Sequence, residues 1–124
     1  MLDKIMKSLA VAIVAFVGLA ASLAPGGASA FFAWRVADVP QWDTLNVRAW
    51  PSSGSKILVA YPNGVVLSIT GKCTGGVKLD TISGWPRWKQ REAVRGQWCE
   101  VWVDPSGSGA FRTAWVYGKY IAPL

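Results

Sequence analysis

The first 30 residues limit most strongly what this 124-residue chain folds into, because they match a segment that is removed before folding. Two lysines among the first seven residues precede an uncharged apolar run of 16 residues, Leu9–Ala24. A Pro-Gly-Gly break and the small residues 28–30 (Ala-Ser-Ala) follow, which completes the pattern of a signal peptide and its cleavage site. We therefore expect residues 1–30 to be a signal peptide and the mature chain to begin at Phe31.

An uncleaved membrane anchor is the alternative interpretation of this segment. A helix that crosses a bilayer needs about 20 apolar residues, and the run here is shorter. No cysteine lies beside the cleavage site, so the sequence gives no sign that a lipid is attached there. We expect cleavage near Ala30, a periplasmic or secreted protein, and no stable membrane anchor after cleavage.

Export determines how the two cysteines of the chain, Cys73 and Cys99, are interpreted. An even number of cysteines in a small exported domain indicates a disulfide. The sequence contains no histidine, so the two thiolates lack the usual partners of a zinc site and a cysteine nucleophile lacks an imidazole base. We therefore predict a disulfide between them, with no metal and no other cofactor.

Without the leader, 94 residues remain, which is enough for one small domain. The whole chain has 13 basic and 7 acidic residues; the leader contains two lysines and one aspartate, so the remainder has 11 minus 6, a net charge of +5. A charge of this size favours anionic partners weakly.

Short β-branched runs separated by turn formers predict a mostly β protein from Thr44 onward. The strongest run is Trp98–Val103, in which Cys99, Val101 and Val103 share one face. Residues 104–109 form a turn, and 111–117 return as the second arm of a hairpin whose outer side carries tryptophans. We expect the face that carries Cys99 to be the core.

Two regions depart from this strand pattern. Residues 31–43 contain Pro40 and predict an irregular entry segment or an edge strand. Residues 75–97 predict a long inserted loop or a short helix, with Ser83 as a candidate cap, Pro86 in the first turn and Gly96 at the end.

Three motifs carry a resemblance to a known family. The segment L-N-V-R-A-W-P-S (45–52), an N-G turn (63–64) before a V-V-L-S-I-T-G strand (65–71), and A-W-V-Y-G-K-Y-I (114–121) occur in the order and spacing of a bacterial-type Src homology 3 domain. The chain departs from the family pattern at Trp50 and Ala114, and the 75–97 insertion has no counterpart that maps onto it.

The resemblance implies a small β-barrel over residues 44–124, built from five to six short antiparallel strands. It also implies an exported bacterial protein that binds cell-wall peptides or a partner protein and performs no catalysis. The ligand itself is not implied, and a function of the insertion would be specific to this chain.

All eight tryptophans lie after the leader. Eight indole rings are more than the core of one small domain can hold, so several of them are candidates for recognition. The aromatic residues predicted to bind a cell-wall peptide or glycan lie at strand ends or on non-core faces: Trp42, Trp50, Tyr61, Trp102, Trp115 and Tyr120. The alternative role of each ring is to close an open end of the barrel.

The insertion combines tryptophan and arginine, a mixture that is typical of protein interfaces. Trp85, Arg87, Trp88 and Arg91 are its candidate partner-binding residues, and a solvated helix face is the alternative. An accessory or inhibitory protein that presents this insertion to a protein target is therefore the second functional hypothesis.

The sequence contains few residues that could serve as catalytic groups. A small wall hydrolase would need two facing carboxylates, such as Glu100 with Asp43 or Asp80. The simpler role of Glu100 is a surface residue paired with Arg112 on the neighbouring strand. Basic residues interleaved with aromatic ones also suit nucleic acid, but the leader argues against that partner. We predict a non-enzymatic exported binding module that contacts cell wall or an envelope protein.

Overall fold

The computed structural model describes residues 33–124, and the predicted signal peptide lies outside that part of the chain. The described residues form seven strands and two helices. The strands are β1 (Ala33–Val36), β2 (Leu45–Arg48), β3 (Ile57–Tyr61), β4 (Val66–Cys73), β5 (Trp98–Val103), β6 (Arg112–Tyr117) and β7 (Ile121–Pro123). The helices α1 (Leu79–Ile82) and α2 (Arg87–Val94) both lie between β4 and β5.

The seven strands form one antiparallel sheet in the order β3-β2-β6-β5-β4-β1-β7. The prediction of a mostly β protein is therefore confirmed. The sheet has seven strands where five to six were expected, and it is open, with β3 at one edge and β7 at the other. Residues 121–123 add a strand that the closing motif of the sequence did not predict.

Strand β1 is an interior strand of the sheet, so the expected irregular segment or edge strand is wrong for residues 33–36. It pairs with β4 on one side and with β7 on the other. The side chains of Trp34 and Val36 are fully buried, and Arg35 between them is half-buried. Four residues are too few for the alternation to identify a strand with a neighbour on each side.

The predicted core face of the β5–β6 hairpin is confirmed. Cys99, Val101 and Val103 of β5 are buried, and so are Ala114 and Val116 of β6. A fully buried valine contributes about 1.5 to 3 kcal/mol relative to an exposed one, so this row supports much of the core. The hairpin register pairs Val101 with Ala114 and Cys99 with Val116.

The loop of the hairpin is organised by one carboxylate. Asp104 accepts the backbone N–H groups of Ser108 at 3.2 Å and of Gly109 at 2.8 Å. Gly109 has a φ of 88°, a conformation that glycine adopts at the lowest cost. The hydrogen bonds of Asp104 and the backbone conformation of Gly109 reverse the chain between β5 and β6 and so fix the register of the two strands.

The insertion folds into two helices that share the core of the sheet. Leu79 and Ile82 of α1 and Val94 of α2 are buried in the same cluster as the strand residues. Of the two predicted alternatives for residues 75–97, a long loop or a short helix, the structure shows helix, in two short segments. The insertion is therefore part of the folded domain.

The predicted cap of the longer helix is wrong. Pro86, in extended conformation, precedes the first residue of α2, and no side chain caps that end. Ser83 instead follows α1, where its Oγ donates to the carbonyl oxygen of Asp80 at 3.0 Å. Proline has no side-chain acceptor and so cannot cap the helix; its carbonyl oxygen instead accepts the backbone N–H groups of Lys89 at 2.9 Å and Gln90 at 3.0 Å.

The predicted disulfide between Cys73 and Cys99 is present. The two cysteines are directly opposite each other at the end of β4 and the start of β5, with their Cα atoms 4.0 Å apart. The bond therefore closes the base of the insertion, and both sulfur-bearing residues are buried. Within residues 33–124, no helix is both long and apolar enough to cross a membrane.

Candidate binding groove

The outer face of the β5–β6 hairpin carries aromatic side chains in successive rows. Strand register places Trp98 opposite Tyr117, Glu100 opposite Trp115, and Trp102 opposite Thr113. These residues alternate with the buried core residues of the same strands, so they lie on the other side of the sheet. We call Trp98, Trp102, Trp115 and Tyr117 the outer aromatic face.

A groove of about 780 Å³ lies at one end of the outer aromatic face. Trp98, Tyr117 and Tyr120 contribute its aromatic lining. The rings of Trp98 and Tyr117 have centroids 5.2 Å apart and planes tilted by 51°, and Tyr117 and Tyr120 are 6.3 Å apart and tilted by 58°. Tilted pairs at these distances are mutually stabilising, so the rings hold one another in place.

The loop after β2 contributes a second part of the lining, Pro51, Ser52 and Ser53. Ser55 organises this loop, because its Oγ donates to the carbonyl oxygen of Trp50 at 2.9 Å. The carbonyl oxygen of Ser55 in turn accepts a hydrogen bond from Nη1 of Arg48 at 2.8 Å. The loop is therefore tied to the strand that precedes it.

The segment before β2 contributes a third part, including Val39, Pro40 and Asp43. The side chain of Asn63 forms two hydrogen bonds with the backbone of Val39, one to its N–H at 3.0 Å and one to its carbonyl oxygen at 2.6 Å. Asp43 accepts the backbone N–H of Thr44 at 2.8 Å. These contacts fix the segment beside the aromatic rings.

Of the six predicted ligand-binding residues, Tyr120 alone lines the groove, and two others lie on the outer aromatic face. Trp102 and Trp115 belong to the outer aromatic face, and Nζ of Lys72 lies 6.0 Å from the Trp115 ring. Trp102 and Trp115 are therefore neighbours of the groove on the hairpin and are not part of its lining.

The remaining three predicted residues lie neither in the groove lining nor on the outer aromatic face. Trp42 and Trp50 are exposed, at 88% and 69%, and each is the sequence neighbour of a lining residue, Asp43 or Pro51. Tyr61 lies at the end of the edge strand β3 and packs partly against the core.

Sequence reasoning missed Trp98 and Tyr117 as site residues. The period-two alternation already placed both on the non-core faces of their strands, which is the signal that was present. It did not give the register, and only the register makes the two rings direct neighbours.

The arginines of the insertion are engaged within the fold. Arg87 donates to the backbone carbonyl oxygens of Pro123 and Leu124, next to β7. Arg91 forms an ion pair with Asp38, and this hydrogen bond lowers the pKa of the Asp38 carboxyl below its usual value. Both guanidinium groups thus attach α2 to other parts of the domain.

The tryptophans of the insertion are accessible. Trp88 is 70% exposed and Trp85 is 39% exposed, with Nζ of Lys89 lying 4.5 Å from the Trp85 ring centroid. The buried side chain of Gln90 holds this loop by donating to the carbonyl oxygen of Trp85 at 2.8 Å. Neither indole belongs to the lining of the groove.

Glu100 is not paired with Arg112, so that expectation is wrong. The Oε1 atom of Glu100 accepts a hydrogen bond from Oγ1 of Thr70 at 2.9 Å, across β4 and β5. Arg112 lies opposite Val103, at the far end of the hairpin. Among the described residues, no three or more Asp, Glu or Cys side chains are grouped so that they could hold a metal ion.

Comparison with known proteins gives no relative from which the function of this groove could be transferred. The chain matches no protein-family model, no curated protein sequence and no solved structure.

Proposed function

We propose that the protein is an exported binding module that receives an extended peptide of the cell wall in the groove. The observation that carries this proposal is the packing of Trp98, Tyr117 and Tyr120 along one groove whose other two segments are fixed by hydrogen bonds. A concave, preformed surface with aromatic lining and a few polar groups is typical of a ligand site.

An extended peptide suits this groove better than a flat glycan chain. The lining combines rings and two prolines with the small polar side chains of Asn46, Ser52 and Ser53. Rings and prolines pack against apolar side chains, and the amide and hydroxyl groups bond to a peptide backbone. A lining that offers both kinds of contact suits a chain that carries an amide group and a side chain at every residue.

The family and the location belong to the same proposal. Support for a Src homology 3-like domain comes from β2, β4 and β6, which overlap the three motifs that carry the resemblance. Support for export comes from the leader sequence and from the disulfide, which is compatible with an oxidising compartment. The bound chain would then be a peptide of the wall or of an envelope protein, and we favour the wall peptide.

Co-sedimentation with purified sacculi tests the proposal. Wild-type protein is expected to sediment with sacculi and to be released by the soluble peptide fraction of the wall, while glycan strands stripped of peptide release none. Trp98→Ala and Tyr117→Ala are expected to weaken sedimentation at least fivefold. Trp88→Ala, which removes an exposed indole outside the groove, is the matched control and is expected to bind as wild type.

Each variant is also checked for a cooperative thermal transition, because the Trp98 and Tyr117 rings support each other. Release by glycan strands alone would transfer the site to a sugar ligand. Equal sedimentation of wild type and both folded groove variants would refute the proposal.

A second function has its own supporting observation, the exposure of Trp88 and Trp85 beside Lys89. These residues would present an aromatic, basic surface to an acidic protein, as an accessory or inhibitory protein does. Capture of one discrete envelope protein that is lost in Trp88→Ala and kept in Trp98→Ala would favour this function over wall binding.

A further inference from the structure

The groove has one charged side chain of each sign. Among the described residues that line it, Asp43 is the acidic one and Arg48 the basic one. The two ion pairs formed within residues 33–124 are Arg91 with Asp38 and Arg95 with Glu92, so neither groove charge is ion-paired with another residue of this described part. Both charges are therefore available to a ligand.

The two charges lie toward opposite ends of β2. Asp43 is two residues before the strand, and Arg48 is its last residue. Residues 43 and 44 precede the strand and the pairing of β2 shifts register between Val47 and Arg48, so a rise of about 3.3 Å per residue gives roughly 16 Å as the upper limit of their backbone separation. An extended peptide spans the same length with about five residues.

Arg48 has donors left for a carboxylate. One Nη1–H donates to the carbonyl oxygen of Ser55, which fixes the guanidinium at the mouth of the 51–53 loop. A guanidinium carries five N–H donors and binds carboxylates in a paired geometry. Asp43, at the other end, is exposed and accepts one backbone N–H through Oδ1.

We propose that the groove selects a short extended peptide of one polarity, with an ammonium group at Asp43, an apolar middle on the rings of Trp98 and Tyr117, and a carboxylate at Arg48. The bound peptide then runs parallel to β2. This inference rests on the proposed function, and it adds the class of the ligand and its direction. Opposite charges at fixed positions give orientation more than affinity.

Chemical-shift titration with penta-alanine tests the inference. The protein is expressed as the full chain and exported, and it is used with the disulfide between Cys73 and Cys99 intact. Peptides with free ends, with an acetylated amino end and with an amidated carboxyl end are compared. Each cap is expected to weaken binding by wild type about two- to fivefold, the range of a partly exposed ion pair. Asp43→Asn is expected to abolish the effect of acetylation only, and Arg48→Gln the effect of amidation only.

Two further variants separate charge from structure. Arg48→Lys keeps the positive charge and loses the paired N–H donors of the guanidinium. It is expected to retain part of the amidation effect. Partial retention would show that the charge, and not only the hydrogen bond to Ser55, produces the effect. Arg112→Gln removes an exposed cation that does not line the groove, and it is expected to leave both effects as in wild type.

The outcomes distinguish the two proposals. If penta-alanine shifts the signals of Trp98 and Tyr117 equally with and without caps, the two-charge inference is overturned and the aromatic peptide groove stands. Coupling of acetylation to Arg48 and of amidation to Asp43 would overturn the direction. If no peptide shifts those signals while sacculi still sediment the wild-type protein, this inference is overturned and the proposed function stands; if neither penta-alanine nor sacculi bind, both are wrong.

Discussion

Gly118 lies against the last turn of α2 so closely that a Cβ atom at its position would be 1.8 Å from the carbonyl oxygen of Val94. Its N–H also donates to the carbonyl oxygen of Gln97 at 2.7 Å. The contact joins the end of the insertion to the turn that follows β6. Tyr120, a groove residue, lies two residues further along the same turn.

Gly118→Ala is expected to destabilise the domain by about 2 to 4 kcal/mol, because the added methyl group meets backbone that cannot move without shifting α2. Chemical denaturation measures the free energy of unfolding. Gly96→Ala is the matched control, since a Cβ there meets no atom within 4 Å, and its free energy should stay within about 0.5 kcal/mol of wild type. Equal stability of both variants would show that α2 is not held at this contact.

Replacing Cys73 and Cys99 by alanine together is expected to lower the free energy of unfolding by about 3 to 4 kcal/mol. The cysteines are 26 residues apart, so without the bond the unfolded chain gains the freedom of a long loop, and two buried sulfur atoms are lost. Thermal unfolding with and without reductant provides the measurement. Reductant should lower the melting temperature of wild type and leave that of the double variant unchanged; a wild type indifferent to reductant would contradict this expectation.

The ion pair of Asp38 with Arg91 predicts a pH-dependent contribution to stability. The hydrogen bond from Arg91 lowers the pKa of Asp38 in the folded protein, so the contribution is present above the unfolded pKa of about 3.9 and is lost as pH falls through the lowered folded value. Asp38→Asn, which suits the φ of 63° at this position, should be less stable than wild type at pH 7 and should approach it below pH 3.

Denaturant unfolding at pH 7 and at pH 2.5 compares wild type with Asp38→Asn. The difference at pH 7 should also shrink in 1 M salt, since the Asp38 carboxylate is largely exposed and the charges are screened. A difference that does not depend on pH would mean that the aspartate acts through its backbone conformation.

Gln90→Leu is expected to destabilise the domain by about 1 to 2 kcal/mol. The change keeps the size of the side chain but leaves the carbonyl oxygens of Ser83 and Trp85 without the donor that Gln90 provides. Amide hydrogen exchange in residues 83–89 should be faster in the variant than in wild type, while exchange in β5 should be the same in both. Gln41→Leu, at an exposed position, is the control and should change neither stability nor exchange; unaltered exchange in Gln90→Leu would contradict the role of Gln90 in fixing the Trp85 loop.

Local pattern predicted the hairpin well because each of its residues reports its own surroundings. Alternation along Trp98–Val103 separates the buried valines from the outer tryptophans, and the Asp-Pro-Ser-Gly turn marks where the chain reverses. By contrast, the prediction of an edge strand or irregular segment for β1 was wrong, because the two strands that pair with it, β4 and β7, lie far along the chain. Nothing in four residues records how many strands pair with them.

The β class, the core face of the hairpin and the bond between Cys73 and Cys99 follow from periodicity and cysteine count, which can be taken from the residues alone. That Trp98 and Tyr117 share a groove with Asp43 and Arg48, and that Arg87 and Arg91 attach α2 to the domain, follows only from the tertiary structure. The physical reason is that cross-strand register and helix docking depend on contacts between distant residues, which the type of a residue does not specify.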